Sequence, residues 1–369
     1  MPRGKRTQAT IFGILPPYIL RAIAERGSVS QRATALRTLA TDSTMRALRA
    51  SLELLPPATA RRAPHDLTQA EPAPERTIYD AHSGQDLPGS VVRREGSRNS
   101  DDPAVNEAYD GLGATFRLFA EVYHRNSIDD EGLPLDASVH FAVGYDNAFW
   151  DGRRMVFGDG DGELFRRFTI APDVIGHELT HGVTEDEARL AYLGQPGALN
   201  ESISDVFGAL VKQYDRRQTA DAADWLIGAG LFTDRVKGVA LRSMKAPGTA
   251  FDDPILGKDP QPAHMKDFVR TIEDHGGVHV NSGIPNHAFF LAAAALAGPA
   301  WERAGRVWYE TLRDPRLRPG SGFRRFAGLT YLNAGRLFGQ GGAEQRAIAG
   351  AWEKVGIAIP QATEALHAG

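Results

Sequence analysis

At 369 residues the chain exceeds the roughly 100–200 residues of a single domain and has room for two or three folded units. Hydrophobic residues make up 42% and charged residues 24%, close to globular averages, which excludes a disordered or fibrous chain. There is no cysteine, so disulfides, thiol nucleophiles and Cys-based metal sites are excluded as well. The longest nearly uncharged apolar run, 289–300, falls short of the roughly 20 residues that cross a bilayer, and no membrane span is expected. Arg3, Lys5 and Arg6 precede an apolar stretch broken by Pro16 and Pro17, and no secretory signal is visible.

The net charge of −4 is unevenly spread: residues 1–62 hold eleven Arg or Lys against three acids, a balance of +8, which leaves −12 on the rest. Two readings stay open. One is a basic arm for nucleic acid, and the other is a basic segment docked on an acidic partner in the same chain. In chain order, residues 16–27 predict a short helix, with Pro16-Pro17 at its start, Ile19, Leu20 and Ile23 on one face and Gly27 at its end. Residues 28–55 continue as a second, Arg-rich helical region. Pro56-Pro57 ends it, and 56–75, rich in Pro, Ala and charge without an apolar period, reads as a linker open to proteolysis. From Thr77 to Gly162 short apolar runs such as 138–143 alternate with Asp-Gly and Asn pairs, around one helical stretch at 105–124, which predicts a strand-rich lobe. After Pro172 the periods are helical, and 286–356 reads as successive helices. The resulting division is a basic helical segment over 1–60, a linker over 61–76, an α+β lobe over 77–185 and a helical lobe over 186–369.

The chemistry concentrates in His177-Glu178-Leu179-Thr180-His181, an HExxH pattern in a helix opened by Pro172 and Asp173. Histidines at i and i+4 share a helix face and converge on one zinc ion, and Glu178 lies beside them facing a water on that metal. A catalytic zinc needs a third protein ligand and an open position. Glu201, in Asn200-Glu201-Ser202-Ile203-Ser204-Asp205, supplies it, and Asp205 and Asn200 are placed to hold the two imidazoles by hydrogen bonds. Zinc, one ion per chain, is the cofactor expected.

HELTH followed after eighteen residues by NE, together with DNAFW at 146–150, LRSM at 241–244 and GGVHVNSG at 276–283, resembles the thermolysin family of zinc metallopeptidases, the gluzincins, over nearly all of 77–360. The opening Pro16-Pro17-Tyr18-Ile19-Leu20 resembles the short prosegment of protealysin-like precursors. The resemblance implies a two-lobed α+β fold with the HExxH helix between the lobes. It also implies roles that spacing does not give. His279 and Tyr192 would stabilise the oxyanion, with Asp274 orienting His279. Asn147, the carbonyl of Ala148 and Arg242 would hold the substrate's main chain. Phe165, Phe168, Val174, Ile227 and Leu241 would line an apolar pocket for the side chain after the cleaved bond, which Phe168 narrows.

The implied activity is an endopeptidase cutting before bulky hydrophobic residues, held latent by its own N-terminal segment docking through Tyr18, Ile19 and Leu20. Peptides or proteins are the partners expected, with a monomeric enzyme, nucleic acid disfavoured, and secretion by a route without a recognisable signal (the alternative being cytoplasmic). A fold retained for binding or adhesion without activity is the rival from another class. One departure concerns calcium. The positions matching the family's double calcium site are Asp173, Lys212, Asp224, Leu226 and Ala229. Two carboxylates are too few for a cation that wants six to eight oxygens, so no double site is expected. Lys212 reads as a substitute charge, with a lysine simply facing solvent as the other possibility. The Asp159-Gly160-Asp161-Gly162-Glu163 run reads as a turn and lacks EF-hand spacing.

Overall fold

The computed structural model describes residues 12–54 and 72–359. Most of the expected linker, and with it the processing region, lies outside the described residues. The N-terminal segment gives strand β1 (Phe12–Gly13) and helices α1 (Pro17–Arg26) and α2 (Val29–Leu54). Helix α1 forms because Pro17 needs no partner for a backbone N–H in the first turn. It ends where Gly27 N bonds the carbonyl of Ile23, and it buries Ile19, Leu20 and Ile23. These three, with Ile14 and Leu15, belong to the main apolar core of the molecule. The segment is therefore packed into the fold.

The strand-rich lobe contains β2 (Arg76–Asp80), β3 (Ser90–Arg94), α3 (Pro103–Arg117), β4 (Leu135–Val139), β5 (Ala148–Trp150) and β6 (Arg154–Phe157). Its sheet runs β1-β5-β6-β4-β2-β3, parallel between β2 and β4 and between β4 and β6, and antiparallel elsewhere. Strand β1 thus caps the edge at β5, pairing Phe12 with Trp150 and Gly13 with Phe149. Two expectations need adjusting. The strand read over 138–143 ends at Val139, because His140 and Ala142 take positive φ (54° and 52°) and turn the chain away from the sheet. The helix read over 105–124 is α3 followed by a π-helical turn at Leu118–Val122. The 159–163 run is a turn, with Asp161 Oδ1 accepting from the N–H groups of Glu163, Leu164 and Phe165.

Helix α4 (Pro172–Glu187) joins the lobes, buried from Asp173 to Thr184. Helix α5 (Gly194–Asp215) packs along it. The two approach closely at Gly208, where a β-carbon would lie 2.3 Å from the carbonyl oxygen of Asp173. That approach carries Glu201 of α5 to the histidines of α4. Beyond it come the ribbon β7 (Leu226–Ile227) and β8 (Arg242–Ser243), the hairpin β9 (Asp252–Asp253) and β10 (Gly257–Lys258), and helices α6 (Asp274–Asn281), α7 (Gly283–Leu296), α8 (Ala304–Leu312), α9 (Phe323–Phe338) and α10 (Ala343–Lys354). This is the two-lobed α+β architecture expected, and among the described residues no helix is long and apolar enough to cross a membrane.

Candidate metal centre and cleft

On α4, the ring nitrogens His177 Nε2 and His181 Nε2 face each other at 3.1 Å. The opposite nitrogens are held from α5: His177 Nδ1 lies 2.8 Å from Asp205 Oδ1, and His181 Nδ1 lies 2.8 Å from Asn200 Oδ1. Both partners accept, so each Nδ1 carries a hydrogen and each Nε2 of a neutral ring presents a lone pair. Burial drives the His181 pKa down to about 3, which keeps that ring neutral. Glu201 completes the group, with carboxylate oxygens 3.5 Å from His177 Nε2 and 3.7 Å from His181 Nε2, and its buried Oε2 has no hydrogen-bond partner. Two lone pairs and a carboxylate turned inward suit a divalent cation of the zinc type, which takes imidazole and carboxylate together. Among the described residues, His177, His181 and Glu201 are the group able to hold a metal ion.

Around this centre, Glu178 is fully buried. Its Oε2 accepts from Trp150 N at 3.1 Å while Oε1 has no hydrogen-bond partner. Burial, reinforced by the Glu201 charge, raises its pKa well above the ordinary carboxyl value. Tyr192 donates its hydroxyl to Glu201 Oε1 and lies 3.2 Å from His279 Nε2. Asp274 grips His279 twice, at Nδ1 (2.6 Å) and at the backbone N (2.8 Å). The chain can fold back in this way because Asp274, His275, Gly276 and Gly277 all take positive φ before helix α6 becomes regular. Burial alone would lower the His279 pKa, but the Asp274 and Glu201 charges outweigh it and raise it to about 9. Asp205 does double duty, taking His177 on Oδ1 and Arg242 on both oxygens at 2.8 and 2.9 Å. Its burial is overcome by Arg242, which pulls its pKa well below the usual range.

The cleft beside this centre holds the chain's own residues 13–15. Ile14 N donates to the Ala148 carbonyl at 3.1 Å, Arg242 Nη1 donates to the Ile14 carbonyl at 3.1 Å, and Leu15 N donates to Asn147 Oδ1 at 3.0 Å. Ile14 is wholly buried in the main apolar core of the molecule, to which Phe165, Phe168, Val174, Ile227 and Leu241 also belong. The docking expected through Tyr18, Ile19 and Leu20 is therefore only part of the contact. Ile19 and Leu20 are buried and Tyr18 is half-buried, but the strand before them enters the cleft. The Arg21–Glu273 ion pair, at 3.1 Å, is more than half exposed on both sides and adds little to this contact.

Sequence comparison gives the same picture. Residues 63–185 match the catalytic domain of the thermolysin metallopeptidases and residues 188–357 match their α-helical domain. An extracellular metalloprotease of Pectobacterium carotovorum subsp. carotovorum is 51% identical over 95% of this chain and 98% of its own length. The chain belongs to the thermolysin family. Within that family it is also similar to the extracellular minor metalloprotease of Serratia marcescens, at 41% identity over 92% of this chain and 94% of that protein. A solved structure, the precursor of the metalloproteinase protealysin from Serratia proteamaculans, matches with a TM-score of 0.85 and 52% identity, over 94% of this chain and all of that one. This thermolysin-family chain is thus a metalloprotease whose relatives include proteins named as extracellular.

Several contributors were not singled out in sequence. Ser204 Oγ lies 3.1 Å from His181 Nδ1, and Asn286 Nδ2 donates to Asp205 Oδ2 at 2.8 Å. Ser204 stands in the same helical turn as Asn200 and Glu201, a signal that helical spacing could have supplied. Asn286 comes from α7, 81 residues beyond its partner, and no local pattern announces it. Lys212, as read, does not face solvent. Its ammonium is buried, 2.9 Å from Asp173 Oδ2, 2.8 Å from Asp224 Oδ1 and 2.6 Å from the Leu226 carbonyl.

Proposed function

We propose that the chain is the latent precursor of a zinc endopeptidase that cuts peptides on the N-terminal side of bulky hydrophobic residues. The observation that carries this reading is the backbone of Gly13, Ile14 and Leu15, hydrogen-bonded in the cleft as a substrate strand would be and antiparallel to β5. In that register Ile14 is the residue after the bond to be cut, with its side chain in the apolar cluster. His177, His181 and Glu201 would hold zinc, which supplies a Lewis acid for the scissile carbonyl and lowers the pKa of a water. The chain's own groups would do the rest. Glu178 has one oxygen fixed by Trp150 N and the other open to receive a proton from water and hand it to the leaving nitrogen. His279, kept charged by Asp274, and the Tyr192 hydroxyl would donate to the oxyanion that develops in the transition state. Arg242 and Asn147 would fix the main chain, and Asp205 ties Arg242 to the His177 ligand, so substrate clamp and metal site share one carboxylate.

With residues 13–15 in the cleft, a peptide cannot enter, and removal of the segment by cutting between Pro56 and Thr77 would open it. The extracellular relatives support secretion of the enzyme. The test is to incubate the native chain and Glu178→Gln identically with zinc and follow mass and peptide turnover. A new N-terminus between residues 56 and 77, turnover rising with it, and neither change in Glu178→Gln are expected. Full activity of the uncut native chain would refute latency, and turnover by Glu178→Gln would refute the base.

A further inference from the structure

This inference rests on the reading that residues 13–15 sit as a substrate does. Beyond the two paired residues of β1 the chain bends, and Gly13 and Leu15 line one small cavity together with Asp42 and Asn147. Around Asp42 the catalytic part presents two buried donors, the Tyr145 hydroxyl and Asn147 Nδ2. One carboxyl takes both: Tyr145 donates to Asp42 Oδ1, and Asn147 Nδ2 donates to Asp42 Oδ2 at 3.0 Å. Asp42 belongs to α2, in the segment whose removal is proposed to open the cleft. Asn147 has no choice of orientation, since its Oδ1 accepts from both Leu15 N and Ala148 N at 3.0 Å. Its Nδ2 also points at position 13, where a β-carbon in place of Gly13 would lie 2.6 Å away. A cavity of about 20 Å³ adjoins them, lined by Gly13, Leu15, Asp42, Asn147 and His275 among others.

When α2 leaves, two converging donors lose their acceptor beside the positions that Gly13 and Leu15 hold in the precursor. Water then reaches both donors and lifts the burial that raises the pKa of Asp42, and a carboxylate that accepts from the two together makes charge-assisted hydrogen bonds in its place. We propose that Tyr145 and Asn147 form a carboxylate-binding subsite of the processed enzyme, filled by Asp42 in the precursor, which takes an acidic substrate side chain on the residue before the cleaved bond or the second residue after it. The precursor then uses two separate pieces to imitate one substrate: residues 13–15 for the main chain and Asp42 for the acid.

The test has two arms. In the full-length chain, Asp42→Ala empties the subsite, and 0.1 M sodium acetate should then raise the thermal midpoint by about 2 °C more than the same concentration of chloride, a shift in the range that weak ligand binding gives. The native chain and the double variant Asp42→Ala/Tyr145→Phe should show no such difference. In the second arm, which needs no folded variant of Asp42, the processed native enzyme is given peptides identical except for Glu, Gln or Ala at either position. The kcat/KM ratio of Glu to Ala should be about tenfold at one of the two positions, the scale of one charge-assisted hydrogen bond, and should fall towards one in Tyr145→Phe. No preference for Glu at either position, or a preference unchanged in Tyr145→Phe, overturns the subsite. If no peptide is cut at all, the peptidase reading fails, while the acetate response still decides whether the two donors bind a carboxylate.

Discussion

The Lys212 ammonium offers a test independent of metal and cleft. It is buried with Asp173, whose side chain is 1% exposed, and with Asp224, whose side chain is 36% exposed. Burial alone would press Lys212 towards neutrality, but the Asp173 and Asp224 charges prevail and its pKa is raised. Lys212→Met keeps most of the stem and removes the charge, leaving Asp173 with the N–H groups of Val174 and Gly228 as its remaining donors. Breaking a buried pair from one side costs about 3–5 kcal/mol. Water can take over at the partly exposed Asp224, so the lower end, about 3 kcal/mol, is expected, or a fall of roughly 6–10 °C in midpoint for a molecule of this size. Lys212→Glu should fall further in chelator, since it gathers a third carboxylate beside the Leu226 carbonyl, and should regain several degrees in millimolar calcium. The assay is thermal unfolding of the full chain in chelator and in calcium. A native midpoint raised by more than 10 °C by calcium through Asp173, or a Lys212→Met midpoint equal to the native one, would refute the charge-substitution account.

Glu201→Ala should lose both zinc, read by metal analysis, and turnover, whereas Glu178→Gln should keep the metal and lose turnover; Tyr192→Phe should lower kcat about 100- to 1000-fold, as loss of one oxyanion donor does. Latency should depend on pH through Asp42. Burial pushes its pKa up to about 6 despite the hydrogen bonds from Tyr145 and Asn147 and the Arg46 charge. A pKa raised by docking means that the proton favours the docked state, so this contribution is complete below about pH 4 and is lost as pH rises through 6. Latency, measured as the activity ratio of processed to uncut enzyme, should be roughly tenfold stronger at pH 5 than at pH 8, and Asp42→Asn should flatten that profile. Gly13→Val should weaken latency about tenfold or more, because with Asp42 in place the new side chain has no room beside Asn147 Nδ2; an equally latent variant would show that the amide moves aside at no cost.

The metal group was legible because its parts are local: His177 and His181 are one helical turn apart, and Glu201 opens a recognisable run of its own. The helices were legible for the same reason, since α1 is bounded by Pro16-Pro17 and Gly27 and α4 is opened by Pro172. The entry of residues 12–15 into the cleft was not. Two paired residues are too few to show a strand period, and their partners lie on β5, more than 130 positions away. The basic charge of the segment drew attention to its helices, while the contacts that hold it are backbone hydrogen bonds and the buried Ile14, Leu15, Ile19 and Leu20. Asp42 was invisible for a related reason: a lone acid in an Arg-rich helix reads as a solvated charge, and only the approach of Tyr145 and Asn147 gives it a role.

The place of β1 at the margin of the sheet has a consequence for how the chain survives before it works. On the proposed function β5 is the strand that would bind substrate, and such a strand must leave a row of N–H and C=O groups unpaired, the same feature that lets sheets of different molecules join edge to edge. In the uncut chain that row is occupied from the moment of folding by a piece of the same polypeptide, at an effective concentration no second molecule can match. Cutting the connection would turn the shield into a dissociable ligand. The enzyme would then gain a working edge and, in the same step, a surface on which its own copies, as unfolded neighbours or as substrates, could settle.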